Sequence, residues 1–390
     1  MLTNFYRKKV KSVGIMISPN QTEPPFAGQR FFAHLCKLGA RWGLLVFVFS
    51  PIYVDYKTAT VQGHRYQSST WIKDTFTLPD LIYDRAFFNN LLQYQEHLAA
   101  ISRLQQLKEI PYLGRSLNGK WIVHKVLIKH PSLALHLPQT EPFKQPSHLI
   151  RRLKEYTSVL LKPEAGSQGK GVLVITKTAA NEYNLRGRNM LNQSISLHFS
   201  NPFIMQQWLL DFMGKRSFLL QQYLSLQTDQ GNAYDIRVLM QKDGHGLWTQ
   251  TGMAARIGQS TSLTSNLHGG GKCVPVSPLL TNQFGSIRAK AIMATINQLS
   301  SLIPPYLEQH FGRLAELGLD IGIDQSGAVW VIEVNSKPGR AAARWFTQPN
   351  GLENAMSKPL QYARFLLHKS SKVNFYDELL KKDERLCSEI

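Results

Sequence analysis

The chain has 390 residues, of which 43% are hydrophobic and 18% charged, and its formal net charge is +19. This composition can bury a large core, which excludes a disordered chain, and no apolar run reaches the ~20 residues that cross a bilayer. The positive field favours anionic ligands, but the basic residues are scattered and no nucleic-acid-binding module is recognisable, so a nucleic-acid binder is disfavoured. The first residues lack the apolar core of a signal peptide, and the three widely spaced cysteines fit a reducing compartment, so we expect a cytoplasmic location.

The first part of the chain, residues 1–112, predicts an α/β domain with a parallel sheet. Short apolar runs at 13–17, 44–49 and 81–83 predict strands, bounded by proline-containing turns. Between the first two runs, helical spacing predicts a helix over 26–38 that stops at Gly39. The order strand, helix, strand is typical of parallel α/β sheets.

After residue 112 the sequence pattern changes, and most of the predicted elements are strands. We predict a second domain over 113–370 and a charged, loosely held tail over 371–390. The predicted helices in this part span 118–129 and 286–302. The predicted strands span 159–162, 172–175, 219–224, 235–241, 247–254, 319–323 and 329–334.

A pair of carboxylates marks the segment 319–335. Two runs with period-two alternation flank a short turn, which predicts a hairpin that places Asp320 opposite Val331. Glu333 then becomes the diagonal neighbour of Asp320, and Asn335 lies one step further on the same face. Two carboxylates and an amide on one face suit Mg²⁺, which prefers hard oxygen ligands together with substrate phosphates. The alternative is that these residues are solvated positions on an exposed sheet face.

A glycine loop separates two of the predicted strands. Gly166, Gly169 and Gly171 allow backbone N–H groups to approach phosphate oxygens, and Lys162 and Lys170 flank and occupy the loop. The spacing matches neither a P-loop nor the Rossmann fingerprint. The loop is therefore either a flap over a nucleotide or a plain hairpin turn.

Two arginines lie on the strands between these segments. Arg237 shares a strand face with Asp235, and Arg256 belongs to the next strand. A guanidinium group suits phosphate or carboxylate oxygens, although surface ion pairs would explain the same residues. The segment 264–271, which contains Asn266, predicts a second loop of backbone donors.

These segments together resemble a known family. Lys162-Pro163 with GSQGKGV, then YDIRVLMQKDG, GMAARIG, SNLHGGG and the Asp320, Glu333, Asn335 ending resemble the ATP-grasp superfamily. Within it the chain is most similar to the YheC/YheD endospore coat-associated proteins, and KWIVHKVL, LPQT, VFVFSP and LPDLIYDR add to this. The resemblance covers residues 12–368.

The resemblance implies a fold and a set of site residues. An N-terminal α/β domain would precede an ATP-grasp unit, whose two α+β lobes, about 113–220 and 221–370, would hold ATP between them. The implied ATP contacts are Lys120, Lys162, Gly166, Ser167, Gln168, Gly169, Gly171, Asn266 and the hinge Gln222, Tyr223 and Leu224, which would read the adenine edge through backbone groups. The implied Mg²⁺ ligands are Asp320, Glu333 and Asn335, and Arg237 and Arg256 would face the transferred phosphoryl group.

The resemblance also implies a chemistry. An ATP- and Mg²⁺-dependent ligase would activate a carboxylate as an acyl-phosphate and join it to an amine, and the positive field favours an acidic carboxylate substrate. One departure from the family concerns the ribose, because no acidic residue follows Tyr223 immediately. The alternative is a non-catalytic ATP-binding or structural protein that associates with spore coat proteins.

Overall fold

The computed structural model describes residues 10–166, 169–259 and 271–387, with side chains up to residue 369 in the last of these ranges. Within these ranges the strands form three sheets, each with helices packed against it. None of the helices in the described ranges is long and apolar enough to cross a membrane.

The first sheet has five strands: β1 (Ser12–Met16), β2 (Leu45–Asp55), β3 (Thr60–Gln67), β4 (Thr70–Thr77) and β5 (Leu81–Asp84). β1 lies between β2 and β5 and pairs with both in parallel, which confirms the parallel core. The β3–β4 hairpin adds an antiparallel edge that the sequence did not predict. Its turn uses Ser68 and Ser69 with φ of 48° and 63°, instead of the Asn-Gly or Asp-Gly pairs that normally announce such a turn.

Two boundaries in this region differ from the predicted ones. Strand β2 continues past Pro51, because its pairing with β3 is interrupted between Phe49 and Val54, and proline costs nothing in an unpaired stretch. Helix α1 spans Gln29–Arg41 and includes Gly39, which packs so closely on Val46 that an added Cβ would lie 2.4 Å from the Val46 side chain. Helix α2 (Leu91–Leu107) covers the other face.

The second sheet is antiparallel, in the order β10-β9-β8-β7-β11-β6. Its strands are β6 (Thr140–Pro142), β7 (Ser158–Pro163), β8 (Leu173–Lys177), β9 (Tyr183–Arg188), β10 (Ser194–Phe199) and β11 (Phe218–Gln222). Helices α5 (Pro146–Glu155) and α6 (Pro202–Met213) supply apolar side chains to the core on one face, where Leu161 and Leu173 are fully buried. The alternation along β7 leaves Leu160 and Lys162 on the opposite face.

The third sheet has the order β14-β13-β12-β15-β16. Its strands are β12 (Tyr234–Lys242), β13 (Trp248–Ile257), β14 (Lys272–Val274), β15 (Glu316–Ile323) and β16 (Val329–Asn335). The apolar face packs against α3 (Lys120–Leu127), α4 (Pro131–Ala134), α7 (Val276–Phe284) and α8 (Ser286–Phe311). Helix α8 passes its predicted end through Pro304 and Pro305, because Ile303, Pro304 and Leu307 are buried in that core.

The chain returns to the first sheet after the third one. A 3-10 turn (Ala341–Trp345) leads into α9 (Gly351–Cys387), whose backbone is helical through most of the segment expected to be a tail. Leu360, Tyr362 and Leu367 of α9 join the core of the first sheet. The division into domains at 112 and 370 remains a prediction.

The register of the β15–β16 hairpin differs from the predicted one. Asp320 lies directly opposite Glu333, not Val331, because a bulge at Ile332 inserts one residue into β16. The turn begins with Asp324, whose Oδ1 accepts hydrogen bonds from the N–H of Ala328 (3.0 Å) and the hydroxyl of Ser326 (2.6 Å). The bulge therefore places the two carboxylates closer together than the alternation pattern indicates.

A buried carboxylate connects the first and third sheets. Glu316 accepts hydrogen bonds from Tyr83 Oη (2.6 Å), Arg85 Nη1 (2.9 Å) and Gln241 Nε2 (3.1 Å), and it pairs with Arg340. Burial raises the pKa of Glu316, but Arg340 and Arg85 outweigh this and lower it. Glu316 is four residues before Asp320 on one face of β15, so this cluster fixes the strand that carries the predicted metal ligand.

Candidate functional site

A cleft with a cavity of about 190 Å³ lies between the second and third sheets. Ten of the predicted site residues line it: Lys120, Lys162, Gly166, Gly169, Gln222, Tyr223, Leu224, Arg256, Asp320 and Glu333. Arg237 does not line the cleft itself but is hydrogen-bonded to Asp320, which does. Gly171 and Asn335 do not line the cleft either. Ser167, Gln168 and Asn266 lie outside the described residues.

Two lysines line the cleft beside the glycine loop. Lys120, the first residue of α3, donates to the carbonyl of Gly166 (3.0 Å) and lies 3.8 Å from Glu333 Oε1. Lys162 on β7 has no acidic side chain within 4.0 Å among the described residues. Burial, and then the neighbouring Lys120, lower the pKa of Lys162 to about 8, with Glu333 opposing the shift. An ammonium group beside a glycine loop, without an acidic partner among the described residues, is suited to bind phosphate oxygens.

The loop glycines adopt backbone conformations that other residues rarely reach. Gly169 and Gly171 both have φ of 72°. A Cβ at Gly171 would lie 2.5 Å from Met190 Sδ and 2.8 Å from Pro163 Cγ. The glycines thus bring the loop close to its own hairpin, which explains the role of Gly171 outside the cleft.

The hinge after β11 presents backbone groups to the cleft. Gln222 N–H donates to Gln139 C=O (2.8 Å), and Leu224 C=O accepts from Leu226 N–H (3.0 Å). Within the described parts of the chain, the N–H and C=O of Tyr223 and the N–H of Leu224 make no hydrogen bond. An adjacent donor and acceptor of this kind match the Watson–Crick edge of adenine, which has one donor amine beside an acceptor nitrogen.

Four charged side chains, of which three are buried and Arg237 is half-buried, form an alternating ladder across β13, β12 and β15. Arg237 holds Asp320 through Nε–Oδ1 (2.5 Å) and Nη2–Oδ2 (3.1 Å). Arg256 holds Asp235 through Nε–Oδ1 (2.7 Å) and a second contact from Nη2, and the same Nη2 lies 3.1 Å from Asp320 Oδ2. Arg256 reaches Asp320 diagonally across β12, and the residue of β13 opposite Arg237 is the small Ala254. The two arginines therefore form ion pairs at the cleft, where Arg256 is buried and Arg237 half-buried, and not on the exposed surface.

Asp320 and Arg256 keep their charges at neutral pH. Burial raises the pKa of Asp320, yet Arg237 and Arg256 outweigh it and hold that pKa below the ordinary value. Burial lowers the pKa of Arg256, yet Asp320 and Asp235 raise it above its ordinary value. Asp320 is consequently an anion. Its side chain is only 10% exposed, so it is not a solvated position on an exposed sheet face.

A metal site built from this chain alone is incomplete. Asp320 and Glu333 are directly opposite on adjacent strands, and Asn335 lies two residues beyond Glu333, opposite Gly318. No group of three or more His, Cys, Asp or Glu side chains suited to a metal occurs in the described residues. Two carboxylates beside a cleft nevertheless fit Mg²⁺, which commonly takes one or two carboxylates and completes its shell with water and substrate phosphates.

Sequence reasoning missed two parts of this site. Asp235 was noted only as a neighbour of Arg237, although it holds Arg256 in place. Glu316 lies outside the predicted strand 319–323, because β15 begins three residues earlier than predicted. The alternation of Glu316, Gly318 and Asp320 with leucines would have extended the strand backwards and placed both carboxylates on one face.

Comparisons with known proteins identify the family of the chain. The family model described as YheC/D like ATP-grasp matches residues 109–366. The chain is 28% identical over 368 residues to endospore coat-associated protein YheC of Bacillus subtilis, covering 92% of this chain and 97% of YheC. It is 29% identical over 362 residues to YheD of the same organism, covering 89% of this chain and 76% of YheD.

A solved structure supports the same fold. D-alanyl-alanine synthetase A from Vibrio cholerae superposes with a TM-score of 0.53 at 11% identity, covering 92% of this chain and 99% of that chain. The family match spans well over half of the chain and includes the lysines, the hinge and the paired carboxylates. The chain therefore belongs to the YheC/D-like ATP-grasp family.

Proposed function

We propose that this protein is an ATP-dependent carboxylate–amine ligase whose active site is the cleft between the second and third sheets. The observation that carries the proposal is the direct pairing of Asp320 with Glu333 at a cleft that also holds two lysines and an open backbone hinge. A structural protein needs none of these groups to be brought together. The ATP-grasp fold and the synthetase neighbour support the class of reaction.

The residues present fit ATP and Mg²⁺. Tyr223 and Leu224 would hold the adenine edge, Lys162 and Lys120 the phosphates, and the glycine loop would close over them. Asp320 and Glu333 would hold Mg²⁺, with Asn335 close by on the same strand. When bound, Mg²⁺ would neutralise charge on the phosphate oxygens and make the γ-phosphorus more susceptible to nucleophilic attack.

The proposed reaction has two steps. A substrate carboxylate oxygen attacks the γ-phosphorus of ATP, the bond to the β-phosphate oxygen breaks, and ADP leaves with that electron pair. An amine then attacks the acyl-phosphate carbonyl, inorganic phosphate leaves, and the amine nitrogen loses a proton to give an amide. Arg237 and the lysines stabilise the phosphoryl charge in both steps, and closure of the loop excludes water that would hydrolyse the acyl-phosphate.

Nucleotide affinity should depend on the protonation of Lys162. Its pKa of about 8 means that raising the pH from about 7 to about 9 removes most of its charge, so ADP affinity should fall about tenfold. Lys162→Arg, which stays charged, should bind with little change over this range. Calorimetric titration with ADP at both pH values measures this, and Lys154→Met, an exposed position on α5, should retain the wild-type profile. Wild-type affinity that does not change with pH would contradict the role of Lys162.

The function is tested by Mg²⁺-dependent ADP formation with a panel of carboxylates and amines. We expect ADP release that requires a carboxylate and rises when an amine is added, with acidic carboxylates favoured by the charge of +19. Tight ATP binding without turnover across the panel would instead favour the second candidate, a non-catalytic coat-associated protein. That candidate is motivated by the names of YheC and YheD, and localising a tagged chain in sporulating cells would test the association.

A further inference from the structure

The two arginines of the charged ladder differ in the number of carboxylates that they contact. Both oxygens of Asp320 are engaged by guanidinium groups, so a divalent cation that binds Asp320 must compete with them. Arg256 has a second carboxylate, Asp235, to which it is bonded through both Nε and Nη2. Arg237 has no acidic partner other than Asp320 among the described residues.

Charge counting shows what cation binding does to the ladder. Two arginines and two aspartates balance each other. Asp235, Arg256 and Asp320 are buried and Arg237 is half-buried, and unbalanced charge is costly in such a site. A divalent cation on Asp320 takes that carboxylate away from the arginines. Arg256 remains neutralised by Asp235, whereas Arg237 loses its one acidic partner among the described residues and can be neutralised by an incoming anion.

We propose that Asp235 is a positioning residue that retains Arg256 when a divalent cation binds, so that Arg237 alone is released from Asp320 to receive a phosphoryl or carboxylate oxygen. The site thus couples the cation to the anion: the metal frees the guanidinium, and the anion compensates it. This inference rests on the proposed function for the identity of the cation site. It separates the two arginines, which the sequence had assigned one shared role.

Binding of Mn²⁺ alone to the nucleotide-free, full-length protein tests this, measured by electron paramagnetic resonance of the free ion. Arg237→Gln removes the main competitor for Asp320 and should raise Mn²⁺ affinity about tenfold. Asp235→Asn leaves Arg256 with Asp320 as its only carboxylate and should lower Mn²⁺ affinity roughly fivefold. A merely structural role of these residues would lower the affinity in both variants.

The matched controls are Arg152→Gln and Glu155→Gln, which should bind Mn²⁺ like the wild type. Both break the Arg152–Glu155 ion pair on helix α5, and Arg152→Gln also removes the contact with Glu141. Unchanged or weaker binding in Arg237→Gln overturns the inference, as does tighter binding in Asp235→Asn. If Asp235→Asn does not fold, as judged by circular dichroism, Arg237→Gln decides alone. Wild-type protein that binds Mn²⁺ in neither the presence nor the absence of AMPPNP contradicts the metal site itself, and with it the proposed function.

Discussion

Glu333→Gln is expected to reduce Mg²⁺-dependent ADP formation by at least about 100-fold while leaving the fold intact. The substitution preserves the shape of the side chain but removes its charge. It thereby removes one of the two carboxylates that lie directly opposite each other and the anion nearest to Lys120. The loss should therefore exceed that of a single phosphate contact, because the metal and a lysine are both affected.

The comparison requires a check of folding and a matched variant. Glu333 has a side chain 30% exposed at the cleft, so the substitution should leave the thermal unfolding temperature nearly unchanged. Glu155→Gln, on the surface of α5, should retain full ADP formation. Full ADP release from Glu333→Gln would remove this residue from the metal site.

Glu316→Gln is expected to lower the free energy of unfolding by about 3 kcal/mol at neutral pH. The carboxylate is 2% exposed and holds Arg85 and Arg340 between the first and third sheets. A neutral amide leaves both buried guanidinium groups without a compensating charge. Urea unfolding, followed by the fluorescence of the tryptophans, measures the change.

The pH dependence gives this prediction a definite sign. The pKa of Glu316 is lowered in the folded protein, so its contribution is fully present above the ordinary value of 4.5 and disappears as the pH falls through the folded pKa. Wild type and variant should therefore differ at neutral pH and converge in acid. A difference that grows on acidification, or its absence at neutral pH, would contradict the assignment.

The order of elements along the chain was predictable where hydrophobic period and turn residues agreed. The apolar runs around Ile15, Leu161 and Val238 form buried strands, as their hydrophobic pattern predicts. The β3–β4 hairpin was missed because its strands are polar and its serine turn carries no glycine or asparagine signal. Local propensity does not report a strand that is stabilised mainly by its partner.

The candidate site was predictable as a set of residues but not as a network. The spacing of Asp320 and Glu333 indicated a common face, yet the bulge at Ile332 that puts them in register has no mark in the sequence. The pairing of Arg256 with Asp235 likewise arises from strand alignment, since the two residues are 21 positions apart in the sequence. Ion pairs across strands depend on tertiary register, which alternation alone does not fix.

Arg340 shows the same limit. An arginine directly after the turn Lys337-Pro338-Gly339 is compatible, from sequence alone, with binding a substrate carboxylate. In the structure its guanidinium donates to Ala355 C=O (2.7 Å) and Pro338 C=O (2.7 Å) and pairs with Glu316. It therefore supports the fold, and its donors are committed within the chain.

In the proposed active site, Asp320 and Glu333 together hold a divalent cation that also contacts the phosphates of a nucleoside triphosphate. Crystals grown with AMPPNP and Mn²⁺, with diffraction recorded at the manganese absorption edge, test it directly. We predict an anomalous peak in contact with both carboxylates and with phosphate oxygens. Nucleotide bound in the cleft with no such peak between Asp320 and Glu333 would contradict the account.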